Sequence, residues 1–385
     1  MNENLRITKL KLSNFRNHKS LQIIPEKNII LISGKNGSGK TNILEAISLF
    51  DSGNGFRNAS LNELVNYDFS GPLELFGVNM HAYINEKHEN IGMGLRKKTN
   101  MIQKVISYNS QKNKGFKLRD LINIFWVLPR MSHLFQNTPD ERRNFLDLMI
   151  SNFDQTYKKK LLEYKKYKNE RLKILKQNQL SQNNEWLDII EKKMSEVGIV
   201  ICDSRRVFLN MLNRNFNKID NQIPLLNLKL NGTLDRILEE KTALYAEEQI
   251  FENLKSNRIR DSLSGRTNYG IDKTDLLVFH KKTNKEAKNF STGEQKIIIM
   301  SIIFSYLNTL EKTNSKKVLF LLDDIFSYLD SRFIKNIISK LDELKIQTWI
   351  TDVQSENARE IREFNSIIHN INIDDYGFKV VNNKL

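Results

Sequence analysis

Hydrophobic and polar positions recur along this chain with a period that changes several times. Residues 5–12, "LRITKLKL", alternate and predict a strand, with the polar "NFRNH" (Asn14 to His18) as the turn after it. "NIILIS" (Asn28 to Ser33) is a short apolar run followed by a glycine, the pattern of a buried strand. "TNILEAISLF" then repeats at helical spacing, with Ile43, Ala46, Ile47 and Phe50 on one face. Strand, glycine-rich turn and helix thus follow in direct succession. Further strands are predicted in "ELFGVNMHAYI" and "VISYN".

Near Asp140 the period lengthens. Residues 141–215 contain neither Gly nor Pro except Gly198. Phe153, Tyr157, Leu161, Tyr164, Leu172 and Leu175 mark one helical face. Ile190, Met194, Val197, Ile201, Phe208 and Met211 mark a second, and "QNQLSQNN" (Gln177 to Asn184) reads as the turn between them. This predicts an arm of two helices folded back on each other, each about 30 residues or roughly 45 Å long. After Gln222, "LNLKL" and "TDLLVFH" read as strands, and Glu248–Asn268 reads as polar and loop-rich. The last third alternates helix and strand: "QKIIIMSIIFSYL", "KKVLFLLDD", "RFIKNIISKL", "TWITDV". That alternation predicts an α/β fold with a mainly parallel sheet covered by helices. The expected divisions are residues 1–120 and 266–385 as two halves of one head, with 121–265 an inserted helical arm.

Composition narrows the class. Hydrophobic content of 39% suits a globular chain, and no apolar run reaches the roughly 18 residues that a membrane span needs. "MNENLRITKLKL" lacks the apolar core of a signal peptide. The single cysteine, Cys202, excludes an internal disulfide and a cysteine metal cluster, in keeping with a reducing cytoplasm. A net charge of +15 favours a polyanionic partner such as nucleic acid. A chain rich in Lys, Asn and Ile acquires lysines from coding bias alone, so charge by itself leaves the partner open.

Two segments promise anion binding. "GKNGSGKT" (Gly34 to Thr41) fits G-x-x-x-x-G-K-[ST] with a strand before it and a helix after it. Gly34, Gly37 and Gly39 let the backbone curl its N–H groups toward phosphates. Lys40 supplies a point charge, and Thr41 offers a hydroxyl to Mg²⁺. Far downstream, Ser291-Thr292-Gly293 in "NFSTGEQKIIIM" opens an apolar helix whose first N–H groups also face an anion. Between this turn and the C-terminus, "VLFLLDDIFSYLD" (Val318 to Asp330) ends an apolar strand in two acids. Asp323 can hold magnesium through its water shell, and Asp324 can orient or deprotonate a water. If Ser291 cannot reach phosphates held by its own Lys40, a second copy would supply it, and two chains facing head to tail would bury two ATP molecules.

The P-loop, "STGEQ", "LLDD" and "YLD", in this order, resemble the ABC-type ATPases. "ITKLKLSNFRNHKS…ISGKNGSGKTNILEAI" looks like the branch that holds the SMC proteins, the double-strand-break repair ATPases and the RecF family. "FWVLPRMSHLFQNTPDERRNFLD" (Phe125 to Asp147), "YKKYKNERLKIL", "EWLDIIEKKMSEVG" and "TDLLVFH…STGEQK" narrow the resemblance to the RecF family of DNA replication and repair ATPases, over nearly the whole chain. SMC relatives carry hundreds of coiled-coil residues where this chain has a short arm.

The resemblance implies an ATPase of bacterial recombinational repair. Such proteins dimerise on ATP, favour gapped or single-stranded DNA, and work with RecO and RecR partners to load a recombinase. Carried over by position, Gly34, Lys35, Asn36, Gly37, Ser38, Gly39, Lys40 and Thr41 bind ATP. Asp323 and Asp324 serve Mg²⁺ and water, and Ser291, Thr292, Gly293, Glu294 and Gln295 form a signature that acts on the partner's nucleotide. Asp330 falls in the loop that crosses the dimer interface.

Some positions depart from the pattern. Asp324 stands where many ABC ATPases have Glu, and the shorter reach suggests slow turnover. Thr351 replaces the histidine that transporters often carry after the last strand, as in RecF-like chains. "GIDKTDL" (Gly270 to Leu276) stands where relatives show a Gly-Pro-His-Arg-like run. Arg16 is expected near the nucleotide, whereas Arg57, Arg142 and Arg143 could serve phosphates or ion pairs. Lys158, Lys159, Lys160, Lys165, Lys166, Lys168, Arg171, Lys173 and Lys176, with Tyr164 and Tyr167, could hold DNA or form a solvated helix face. His18, His133 and His280 read as packing or surface residues and Cys202 as core. Two rivals stay open: an ATP-binding DNA-bridging module with negligible hydrolysis, and a transporter ATPase subunit, against which the basic arm and the absent histidine weigh.

Overall fold

Continuous apolar runs and alternating ones sort the strands into two kinds of sheet. The computed structural model describes residues 5–52, 55–66, 74–84, 86–98, 101–109, 111–112, 122–176, 184–216, 224–312, 318–327, 329, 331–352 and 363–376. The chain begins with β1 (Arg6–Phe15), β2 (His18–Ile23), β3 (Ile29–Ser33) and helix α1 (Lys40–Ser52). Next come β4 (Glu74–Ile84), β5 (Lys87–Lys98), β6 (Met101–Tyr108), β7 (Gln111–Lys112) and β8 (Asn123–Val127). A mostly helical stretch holds α2 (Pro139–Phe153), α3 (Gln155–Lys176), α4 (Asn184–Phe216), β9 (Leu226–Asn231), α5 (Thr233–Glu240), α6 (Ala243–Ser256), α7 (Arg258–Ser264), β10 (Asp275–His280) and α8 (Thr292–Lys312). The chain then forms β11 (Val318–Asp323), α9 (Ser331–Glu343), β12 (Thr348–Thr351) and β13 (Ile368–Asn372). Contacts divide it into two units, residues 1–131 with 314–385, and residues 132–313. These divisions fall at 131/132 and 313/314, against the expected 120/121 and 265/266.

The first unit holds a five-stranded parallel sheet in the order β13-β3-β12-β11-β8. All of β8, β11 and β12 and most of β3 are buried, as strands covered on both faces must be. The other sheet is six-stranded and antiparallel, in the order β2-β1-β4-β5-β6-β7. The parallel sheet expected from the alternation of the last third is thus present, and most of the N-terminal strands form a separate antiparallel sheet beside it. The β1–β2, β4–β5, β5–β6 and β6–β7 connections are short, and a tight turn can join only antiparallel neighbours. In β1, Leu10, Leu12 and Phe15 are buried while Lys11 and Ser13 on the opposite face are exposed.

The second unit replaces the expected two-helix arm with a packed helical body. The first predicted helix breaks at Asp154, which is extended (φ −128°, ψ 112°). Its carboxylate accepts the Thr156 N–H and hydroxyl, each at 2.8 Å, and caps α3. α3 and α4 pack on each other as expected, but α4 also packs on α6 and α8, so it is the core of the unit. Glu248–Asn268 is largely helical, contrary to the loop expectation. Ala246, Ile250 and Leu254 are fully buried at four-residue spacing, and the polar residues between them hid that narrow stripe. Among the described residues no helix is long and apolar enough to cross a membrane.

Candidate nucleotide site

β3 delivers the chain into the glycine-rich loop, where Gly34, Gly37 and Gly39 take φ values of 151°, 82° and 99°. Gly39 has a second reason to be glycine. A Cβ there would lie 2.4–2.6 Å from the side chains of Asn17 and His18, so the β1–β2 turn packs directly on the loop. His18 Nε2 stands 3.1 Å from the Gly39 carbonyl. Burial holds its imidazole below the ordinary histidine value, so the neutral ring donates this bond. His18 is thus a packing residue, but one that packs on the phosphate loop itself.

Lys40 Nζ donates to the Gly34 and Lys35 carbonyls at 2.7 and 2.8 Å. Burial lowers its pKa, against the pull of Asp374, Asp324, Asp352 and Asp323. Lys35, Asn36 and Gly37 are exposed at the lip of the loop. Asp374 accepts the Lys35 N–H at 3.1 Å. Ser38 Oγ is buried without a hydrogen-bond partner among the described residues. Such an orphan is expected where a ligand supplies the acceptor.

Two threonines converge on Asp323 at the end of β11. Thr41 Oγ1 donates to its Oδ1 at 2.8 Å and Thr351 Oγ1 at 2.7 Å. Burial raises the Asp323 pKa, while the Thr351 and Thr41 bonds and the nearby Arg57 charge oppose that rise. A hydroxyl and a carboxylate side by side, both oxygen donors, fit Mg²⁺, which takes few protein ligands and keeps its waters. Asp324 adopts the left-handed conformation (φ 51°), which Asp tolerates better than most residues. Its N–H reaches the Thr351 carbonyl at 3.2 Å and hydroxyl at 3.1 Å, and its carboxylate accepts from Ser327 Oγ. Asp330 lies outside the described residues.

Glu45 is the residue that the sequence reading missed. It lies on α1, fully buried, and accepts two bonds from Arg16 at 2.7 and 2.9 Å and one from Arg57 at 3.1 Å. Arg57 also donates to Asn42 at 2.8 Å. Arg16 therefore reaches the P-loop helix through this carboxylate. A charge set inside an apolar helix needs a partner, and that was the only trace in the sequence.

The signature turn belongs to the second unit, whereas the P-loop and Asp323 belong to the first. Ser291 caps α8. Its N–H and Oγ both donate to Glu294 at 2.8 Å, and the Glu294 N–H returns to Ser291 Oγ at 3.4 Å. Those bonds hold Glu294 below the usual carboxylate range. Gln295 is buried and braces the turn from inside through the Phe290 carbonyl, 2.7 Å away. Ser291 and Thr292 are exposed, with Gly293 half-buried.

Several charged candidates serve the fold instead. Arg142 grips Asp275 with two bonds of 2.8 and 2.9 Å, and Arg143 donates to the Thr274 carbonyl at 2.8 Å, tying α2 to the start of β10. Arg171 is fully buried between Glu191 and Asp261, and Tyr164 is buried. Neither can face DNA. Lys168 pairs with Asp272, which leaves Lys159, Lys165, Lys166, Lys173 and Lys176 as the exposed lysines of α3.

The described geometry has counterparts. The family profile "RecF/RecN/SMC N terminal domain" matches residues 6–373. The chain is 34% identical over 355 residues to the DNA replication and repair protein RecF of Rickettsia typhi (strain ATCC VR-144 / Wilmington), covering 91% of this chain and 94% of that protein. It is 33% identical over 352 residues to that of Rickettsia prowazekii (strain Madrid E), covering 91% and 94%. A solved structure described as the recombination mediator protein RecF-ATP in the RecFOR pathway superposes with a TM-score of 0.76 at 26% identity, over 92% of this chain and 93% of that one. An Smc head domain from Pyrococcus furiosus, TM-score 0.52 at 18% identity over 92% of each chain, shares the fold alone. The fold is that of an ABC-type ATPase head with helical insertions.

Proposed function

The chain belongs to the RecF family of DNA replication and repair proteins, and from that premise we propose an ATP-driven DNA clamp of bacterial recombinational repair. The observation that carries the reading is the meeting of Thr41 and Asp323, 2.8 Å apart, beside the P-loop lysine. Solved relatives described as RecF-ATP support ATP as the nucleotide. In the proposed cycle the loop Gly34–Thr41 cradles the phosphates, and Lys40 exchanges its loop carbonyls for phosphate oxygens. Thr41 and Asp323 would hold Mg²⁺, which when bound would supply positive charge against the phosphates. Asp324, fixed by Ser327 and Thr351, orients the attacking water, and its short side chain keeps turnover slow. Ser291, Thr292 and Gly293 of a second copy complete the pocket, with Glu294 and Gln295 bracing that turn. ATP therefore closes a homodimer on gapped or single-stranded DNA, and hydrolysis reopens it. RecO- and RecR-type partners, which the neighbours' RecFOR-pathway description supports, and a cytoplasmic setting complete this reading.

Sedimentation with ATP tests the cycle. Asp324→Asn should bind ATP and accumulate as dimer, while Ser291→Arg should bind ATP nearly normally and stay monomeric. An Asp324→Asn protein that remains monomeric with ATP bound removes the assigned water role. Parallel loss of nucleotide binding and dimerisation in Ser291→Arg removes the contact in trans.

A further inference from the structure

The outer face of the antiparallel sheet carries a trough of about 330 Å³. Two cross-strand rows build it. One runs Lys11–Asn79–Gly92–Ser107 and the next Ser13–Gly77–Gly94–Val105 across β1, β4, β5 and β6. The intervening residues Val78, Met93 and Leu95 point into the core. Three glycines on neighbouring strand positions are unusual, because an interior strand glycine loses entropy and packs nothing.

The fold accounts for only part of this. A Cβ at Gly94 would lie 2.5 Å from the Phe76 carbonyl, so the backbone demands glycine there. At Gly92 it would meet the Ser107 hydroxyl at 2.4 Å, a contact that a rotamer change relieves. At Gly77 the nearest atom to an added Cβ is that of Ser13, 4.0 Å away, and φ lies outside the positive range, so a Cβ is tolerated there. Gly77 keeps the floor bare without a steric reason at its Cβ position among the described residues. A strand glycine of this kind marks close approach by something else.

Charge identifies the class of visitor. Lys11 and Arg96 line the trough, and no carboxylate does among the described residues. Lys9 and His81 form the next row, where burial and the charges of Lys9 and Lys11 hold the His81 imidazole below its ordinary value. The trough thus offers flat peptide planes and Val105 between cations, with hydroxyl and amide groups beside them.

We propose that this trough seats an unpaired stretch of DNA, one or two bases lying flat on the Gly77–Gly94 floor and the flanking phosphates meeting Lys11 and Arg96. Sequence-tolerant single-strand binding combines a cationic groove with flat surfaces on which bases lie. Here the bare backbone takes the place of the aromatic side chains that usually form that surface. A paired base hides its face in the stack, so duplex gains nothing from the floor. The inference rests on the DNA-binding reading above and adds where the strand lies.

The test uses the full chain with Gly77→Leu, which fills the floor, and Lys11→Glu, which reverses a rim charge. Labelled oligothymidylate is followed by anisotropy, ATP affinity and thermal melting are measured alongside, and a halogenated deoxyuridine oligomer is photocrosslinked to the wild type. Either variant should weaken oligomer binding by about tenfold or more, comparable to one lost stacking contact, with ATP affinity unchanged. Crosslinks should map to β4 or β5. Unchanged oligomer binding in both variants, or crosslinks confined to other elements, overturns the placement while the DNA-binding reading stands. An equal loss for free thymidine monophosphate, or a loss seen only with duplex, overturns the strand assignment. A wild type that binds no oligomer defeats the DNA-binding reading and the inference with it.

Discussion

Asp323 keeps its carboxylate where burial disfavours the charge, and two threonine hydroxyls only partly compensate. Its folded pKa stands above the unfolded value, so the native state holds the proton more tightly and stability falls as pH rises through that interval. At neutral pH the ionised group therefore destabilises the nucleotide-free fold. Asp323→Asn should raise the melting temperature at neutral pH, and the gain should fade as pH drops below the ordinary aspartate range. Thermal denaturation across pH measures this, and a lower melting temperature for the variant at neutral pH would show that the threonine bonds outweigh burial. Lys40, Thr41 and Asp323 could be read from the sequence because each belongs to a fixed local spacing. Glu45 could not, since its two arginine partners come from other segments and only folding brings them together. The left-handed turn at Asp324 likewise has no signature in an Asp-Asp pair.

At the level of elements, arginines fix the helical unit. Arg171 on α3 bonds Glu191 of α4 at 2.7 Å, Asp261 of α7 at 2.7 Å and the Leu254 carbonyl of α6 at 2.7 Å, all buried. Removing one member of a buried ion network leaves the others unpaired and costs about 3–5 kcal/mol. Arg171→Met should therefore lower unfolding free energy by about that amount in a denaturant titration, while ATP binding by the first unit persists. A change below about 1 kcal/mol would mean that Arg258, which also grips Glu191, carries the network alone. The periodicities of α4 and α8 showed in the sequence because their apolar stripes are broad. α6 escaped notice because its buried stripe is one residue wide, and the α2–α3 break turns on the single capping residue Asp154.

For the molecule as a whole, the +15 charge becomes a statement about salt. DNA affinity should fall by roughly 10³ or more between about 50 and 200 mM salt if about six phosphates are neutralised. A flat profile by anisotropy would remove the electrostatic case for DNA. The order of the parallel sheet bears on synthesis too. β3, which leads into the P-loop, lies between β12 and β13 in its sheet, and the whole helical unit intervenes in the chain. On the ribosome, "IILIS" emerges early and waits with both edges unmatched until Thr348–Thr351 has been made, and with one edge unmatched until Ile368–Asn372 follows. Pairing across such separations is slow and leaves a strand open to wrong neighbours. The nascent protein should thus depend on chaperones more than its finished architecture suggests, and a ribosome stalled before β12 should display an ATPase that cannot yet grasp its nucleotide.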